Sequence, residues 1–288
     1  MKTSIECIPC FARQALEAVT MAVDDGPDRE RILRRLLGEI AKADWTAMPV
    51  EISRSIQRVV RAETGRADPY HDLKQRMNRT AIDLLPVLSD LAGRHLDPRE
   101  AVVRLAIAGN LLDAGSKSRM APEEMPERLA TVLDMPLVGD VAELFAAADA
   151  AHCILYLADN AGEIVFDRLL IEALPAEKIT VAVRGSPVLN DATMEDAEAA
   201  GIPSVAPVID NGSDAPGTIV GDCSGEFRAW FDRADLVIAK GQGNFETLSD
   251  ADKDVFFLLC VKCPAIGAEI GAPEGSLVVK RSRRGGPS

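Results

Sequence analysis

In the second half of this chain, several short apolar runs break off into acids, amides and glycine, and these residues have the types to do chemistry. The run ending at Ala158 stops at Asp159 and Asn160. The next ends in Arg184, Gly185 and Ser186, with Asn190, Asp191 and Thr193 close behind. A third is followed by Asp210, Asn211, Gly212 and Ser213, and a fourth by Lys240, Gly241, Gln242, Gly243 and Asn244. Taken singly, each loop is the material of turns and helix caps, because Asp, Asn and Gly accept tight backbone and satisfy free N–H groups. Taken together, an Asp-Asn pair and a further Asp beyond the next run present hard oxygen donors without nitrogen or sulfur, a set that suits Mg²⁺ or Mn²⁺. The three histidines, His71, His95 and His152, lie outside these loops, so a histidine-bound zinc or a histidine-based triad finds little support. Lys240 adds a positive charge beside the glycines of KGQGNFE, whose N–H groups at a helix start suit a phosphate. The spacing of those glycines is not a dinucleotide fingerprint. Oxygen-ligated metal, lysine and backbone donors point to phosphoryl chemistry, which depends on positioning and charge neutralisation. Arg184 has two readings, a phosphate clamp or an ion pair with one of the acids.

For these loops to share a cleft, the runs before them must be strands of one sheet. Strands are expected at 153–158, 178–184, 204–209, 234–240 and 275–280, with helical segments near 162–174, 192–200, 223–232 and 251–262. That alternation predicts βαβ units in an α/β fold, a mainly parallel sheet with helices on both faces and ligands at the carboxyl ends of the strands. The first half differs in texture. From Phe11 to about Ala150 the apolar residues recur at helical spacing, as in Ala12, Ala15, Leu16, Val19 and Ala22, or Ile32, Leu36, Leu37 and Ile40, which predicts helices and no strand. The expected organisation is a helical domain over 1–150, an α/β domain over 151–280 and a disordered tail over 281–288.

The chain has 288 residues, 47% apolar and 27% charged, the composition of a globular protein of one large or two ordinary domains. Its net charge of −13, from 45 acidic against 32 basic residues, argues against nucleic acid or an anionic membrane as partner. No apolar run approaches the ~20 residues that span a bilayer, and the N-terminus has no signal-peptide core, which predicts a cytoplasmic location. Two C-x-x-C pairs, Cys7 with Cys10 and Cys260 with Cys263, have the spacing of a structural zinc site. Against zinc stands the common burial of cysteine and the placing of Cys260 on an apolar face with Phe256 and Phe257. Trp45 and Trp230 read as core anchors.

The pieces CIPC, AGNLLDAG, DNAGEIVFD, RGSPVLNDAT, NGSDAPGT, KGQGNFETL and LLCVKCPAIG stand in an order that resembles the damage-control phosphatases, domain-of-unknown-function family 89, and in particular their prokaryotic C-x-x-C branch. The resemblance covers nearly the whole chain. It implies a helical domain packed on a three-layer Rossmann-like α/β domain, and a divalent-metal-dependent phosphatase (Mn²⁺, Mg²⁺, Co²⁺ or Ni²⁺) acting on small phosphorylated metabolites such as sugar phosphates. It implies Asp159, Asn160 and Asp191 as metal ligands, with Asp159 also a candidate nucleophile beside a metal-activated water. It further implies that Lys240 and Lys262 meet the phosphate or substrate, that Asn110 and Asp113 close the cleft, and that Glu163 holds a metal-bound water or a substrate hydroxyl. The alternative is a metabolite- or nucleotide-binding module without turnover, which the Gly-rich loop and the alternating architecture also support.

Overall fold

The computed structural model describes residues 1–113, 129 and 131–282 (110–113 by backbone alone). Helices α1 (Ile8–Ala22), α2 (Pro27–Lys42) and α3 (Pro49–Thr64) each carry a proline in the first two positions, where its missing N–H costs no hydrogen bond. Their stripes at three- and four-residue spacing, Phe11/Ala15/Ala18/Ala22, Ile32/Leu36/Ile40 and Ile52/Ile56/Val60, close on one another as a separate apolar cluster. Helices α4 (His71–Arg94) and α5 (Pro98–Asp113) follow. From Ala101 to Ala108, α5 is buried over more than one stripe, which requires neighbours on several sides.

The second half supplies them. The order is β1 (Leu137–Gly139), α6 (Val141–Ala150), β2 (Ile154–Leu157), α7 (Glu163–Ala173), β3 (Ile179–Val183), α8 (Met194–Ala199), β4 (Val208–Asp210), α9 (Gly225–Arg233), β5 (Leu236–Lys240), α10 (Gly241–Leu248), β6 (Val255–Cys260), α11 (Pro264–Ile270) and β7 (Leu277–Ser282). The strands form one sheet in the order β1-β7-β6-β5-β2-β3-β4, parallel throughout except for the β6–β7 pair. Alternate residues serve opposite faces. Ile154, Tyr156, Val181, Ile238, Phe256 and Leu258 join a core with α4, α5, α6 and α7, while Leu155, Leu157, Val237, Phe257 and Leu259 join one with Phe227, Phe231, Phe245 and Ile266 of α9, α10 and α11. The fold is therefore the expected three-layer α/β arrangement.

Some local expectations are corrected. The 251–262 segment, read as helical, contains β6. It is buried on both faces, so its apolar run has no alternation by which to be told from a buried helix. The third strand lies at Val208–Asp210, because Ile202–Ser204 turns as a 3₁₀ segment. A boundary at 150 does not match the packing: β1 pairs with β7, and α4 and α5 share a core with the sheet. Arg281 and Ser282, expected in a tail, belong to β7. Trp45 is 43% exposed and anchors no core. Among the described residues no helix is long and apolar enough to cross a membrane.

From β2 the chain goes to β3 and β4 on one side, and β5, β6 and β7 follow on the other. In sheets of this kind such a reversal marks the usual place for a ligand, here beyond the carboxyl ends of β2 and β5. The loops after β3 and β4 close tightly beside it. Gly185 N donates to Asn211 Oδ1 at 2.9 Å, and a Cβ on Gly185 would lie 2.4 Å from Gly212 Cα. Gly185→Ala is therefore expected to destabilise the fold by about 1–3 kcal/mol in urea denaturation, because backbone on both sides must move. Unchanged stability would refute this packing.

A candidate metal and phosphate centre

Asp159 and Asn160 leave the end of β2 in extended backbone and are stitched at once to the chain after β3. Asn160 and Asp191 form an isolated antiparallel bridge, Ala192 N donates to Asp159 O at 2.8 Å, and Ala161 N donates to Asn190 O at 2.8 Å. This stitching brings Asp191 beside the Asp-Asn pair, and all three side chains are buried. Asn160 Nδ2 donates to Asp159 Oδ2 at 2.8 Å and to Glu163 Oε2 at 3.0 Å. Both bonds use the nitrogen, which leaves Oδ1 as the atom free to meet a cation. On the other side Gly241, at φ 78, passes so close that a Cβ there would lie 1.9 Å from Asp159 Oδ2. Only glycine lets β5 turn against the carboxylate at that point.

Lys240 is placed differently from the expectation that it meets phosphate. Its Nζ is fully buried and donates to Ala106 O at 2.9 Å, to Glu163 Oε1 at 2.7 Å and to Asp167 Oδ1. Three bonds exhaust the three N–H groups of an ammonium. Burial works against its charge, and the adjacent Asp167 and Glu163 carboxylates more than offset this, holding the ammonium above its ordinary range. Glu163 bonds through Oε1 to Lys240 and through Oε2 to Asn160, so it orients the amide. Asp167, one helical turn after Glu163, was not singled out by the sequence. The signal for it was its i, i+4 spacing on a helix that starts at the Asp-Asn loop.

Arg184 is an ion-pair partner. Nε donates to Asp191 Oδ2 at 2.6 Å, Nη2 lies 3.8 Å from Asp159 Oδ1, and Thr218 Oγ1 and Asn244 Oδ1 accept from the guanidinium at 3.2 and 3.4 Å. Thr218 and Asn244 hold each other at 2.8 Å, and Asn244 Nδ2 donates to Lys240 O at 2.8 Å. Four buried carboxylates, Asp159, Glu163, Asp167 and Asp191, thus share one centre with two buried cations, Lys240 and Arg184. The surplus of negative charge shows in the acids. Asp159 is pushed well above the carboxylate range by burial and by the charges of Glu163 and Asp191, against Arg184 and Lys262. Burial also raises Asp191, opposed by Arg184, and raises Asp167 to about 6, opposed by Lys240.

Of the other expected residues, Lys262 is exposed after β6, and its charge reaches Asp159. The side chains of Asn110 and Asp113 lie outside the described residues. The four cysteines do not assemble. Cys7, Cys10 and Cys263 are within electrostatic reach of one another, but Cys260 is buried in the core on the opposite face of the sheet from Cys263. The two ends of the second C-x-x-C point apart because Cys260 ends a strand and Cys263 caps a helix. Among the described residues no group of three His, Cys, Asp or Glu side chains is gathered to hold a metal. A cation at the centre therefore needs the Asn160 amide oxygen as well as the Asp159 and Asp191 carboxylates.

Two outcomes follow from the buried charges. Lys240→Met leaves two buried carboxylates without their cation, so it is expected to cost about 3–5 kcal/mol in urea denaturation. A lysine reserved for substrate would lose activity at unchanged stability. Asp167 has a folded value raised above its unfolded one, so its stabilising contribution is fully present below about pH 4 and is lost as pH rises to about 6. In metal-free buffer, the melting temperature of Asp167→Asn relative to the unsubstituted protein should therefore climb between about pH 4 and pH 6 and stay level above. A difference that does not vary over that window would show that Asp167 has an ordinary carboxyl.

The damage-control phosphatase ARMT1-like domain matches residues 3–278. A damage-control phosphatase of Pyrococcus horikoshii is 36% identical, covering 98% of this chain and 99% of its own. A damage-control phosphatase of Archaeoglobus fulgidus is 32% identical, with 97% and 99% covered. The crystal structure of a Pyrococcus horikoshii protein of domain-of-unknown-function family 89 superposes with a TM-score of 0.88 at 35% identity, over 98% of this chain and 100% of that one. With the match extending from the N-terminal helices into the last strand, this chain belongs to the damage-control phosphatase ARMT1-like family.

Proposed function

We propose that the chain is a divalent-metal-dependent phosphomonoester hydrolase acting on small phosphorylated metabolites, with sugar phosphates as the first class to try. The observation that carries this reading is the buried centre of four carboxylates and two cations at the carboxyl ends of β2 and β5, where the strand order reverses. A divalent cation would neutralise its surplus, and the donors offered are all oxygen. Asp159, Asp191 and Asn160 Oδ1 would hold it, and the hard set suits Mg²⁺, Mn²⁺, Co²⁺ or Ni²⁺ better than a thiolate-seeking metal. Bound there, the ion would supply Lewis-acid polarisation of phosphoryl oxygens and an activated water.

The chain's own groups do the positioning. Glu163, fixed by Lys240, keeps the nitrogen of Asn160 turned away and so presents its oxygen to the cleft. Arg184 balances Asp191 and Asp159, and Thr218 and Asn244 fix its plane. Its Nη2, whose bond to Asn244 Oδ1 is a long 3.4 Å and which lies 3.8 Å from Asp159 Oδ1, would be the cationic donor nearest to the proposed ligands for a phosphoryl oxygen. Lys262, exposed at the end of β6, adds positive charge near the mouth. With a net charge of −13 on the whole chain, such local cations are what draw an anionic metabolite to this end of the sheet.

The test is phosphate release from p-nitrophenyl phosphate and a panel of sugar phosphates, with each of Mn²⁺, Co²⁺, Ni²⁺ and Mg²⁺. Metal-stimulated release is expected, and Asp159→Ala should bring it down to the level seen after chelation. Full activity in that variant, or in exhaustively chelated protein, would overturn the reading. Ligand binding with no turnover under any of these metals would favour the binding-module alternative.

A further inference from the structure

We propose that Asn78, on α4, is the positioning residue that sets the angle between the two ligand-bearing loops, and so tunes how tightly the centre holds its cation. The inference rests on the reading of Asp159, Asn160 and Asp191 as the metal-holding set.

Asn78 is 1% exposed and both ends of its amide are used. Oδ1 accepts from Gly162 N at 2.7 Å, in the loop between Asn160 and Glu163. Nδ2 donates to Asp196 Oδ1 at 2.8 Å. Asp196 in turn closes the loop that carries Asp191: its Oδ2 accepts from Thr193 N at 2.9 Å, Thr193 Oγ1 at 2.8 Å and Lys74 Nζ at 3.1 Å. Lys74, one turn before Asn78 on α4, is shared between Asp196 and Asp68, which it meets at 3.0 Å, so the cation facing Asp196 comes from the helical layer. One amide from the helical layer therefore joins the two loops whose side chains would ligate.

The need for this third link comes from the backbone. The bridge between Asn160 and Asp191, with the flanking bonds of Ala161 and Ala192, ties the two loops along one line. Rotation about that line is the motion the bridge itself does not restrain, and the distance from Asp159 and Asn160 to Asp191 changes with it. Asn78 contacts each loop beyond the bridge, at Gly162 and Asp196, and closes the triangle. Among side chains of this size only an amide can accept at one end and donate at the other. A carboxylate at position 78 would meet the Asp196 carboxylate, and an aliphatic group would leave the buried Gly162 N–H without a partner.

This predicts a polarity swap. In Asn78→Asp with Asp196→Asn, the carboxylate at 78 accepts from Gly162 N and from the new amide at 196, whose oxygen still accepts from Thr193 and Lys74. Two measurements on the full chain test it: Mn²⁺ affinity by titration calorimetry, and hydrogen exchange of 159–163 and 191–196 in metal-free protein, with folding checked by circular dichroism. Asn78→Leu and Asn78→Asp are expected to weaken Mn²⁺ binding by roughly tenfold or more, the range for groups that orient ligands, and to speed exchange in both segments. The double variant is expected to recover both, which a general loss of stability would not do. Wild-type affinity and exchange in Asn78→Leu, or a folded double variant no better than Asn78→Asp, would overturn the proposal. An unsubstituted protein that binds no Mn²⁺ would instead overturn the functional reading, and the metal-free exchange would still decide the role of Asn78.

Discussion

Lys240 lies at the end of β5 with no solvent around it, bonded to two carboxylates of α7 and to a carbonyl of α5. Most of the centre depends on this ammonium. It ties sheet and helical layer together at one atom, fixes Glu163 and, through Glu163, the orientation of Asn160. An isolated lysine would not stay charged in such a place, and the carboxylates would not stay ionised without it. The cluster is therefore jointly maintained: each charge is tolerated because of its neighbours, and loss of any member falls on the rest.

That arrangement remains unbalanced, with four carboxylates to two cations in the interior. A protein selected only for stability would do better with an apolar core at this spot, since buried ion pairs seldom improve on well-packed hydrophobic residues. The imbalance is the feature on which the proposed divalent site rests. Its location agrees with that proposal, because the strand order reverses between β2 and β5, the usual place for a ligand in such sheets.

The helical layer is part of this centre as well as its cover. Helices α1 to α3 hold their own apolar cluster, but α4 and α5 share the core of the sheet, and from α4 come Lys74 and Asn78 to the loops after β2 and β3. The helical half and the sheet are thus joined by buried polar bonds whose geometry is stricter than that of apolar packing. A division of the chain at residue 150 obscures this, since the contacts that matter cross it.

Much was legible in the sequence, and for identifiable reasons. Strand periodicity followed by Asp, Asn and Gly marked the ends of β2, β3 and β5, because only short polar residues and glycine suit backbone that turns off a sheet edge. The meeting of Asp159, Asn160 and Asp191 at neighbouring strand ends followed from that, as did helices on both faces of the sheet. The sequence could not show where side chains point. Lys240 stands beside a glycine-rich turn and reads as a phosphate ligand, yet its side chain runs inward to two acids; Cys260 and Cys263 have zinc spacing, yet a strand end separates their directions. β6 was misread because burial on both faces erases the alternation that names a strand. The Asn78–Asp196 link joins residues on different helices, with no local pattern to announce it. Residue types and local spacing determined which chemistry this chain carries, because those are properties of the covalent sequence. Which groups meet, which are saturated and which oxygen is left for a cation were decided only when tertiary packing set their directions and removed the water between them.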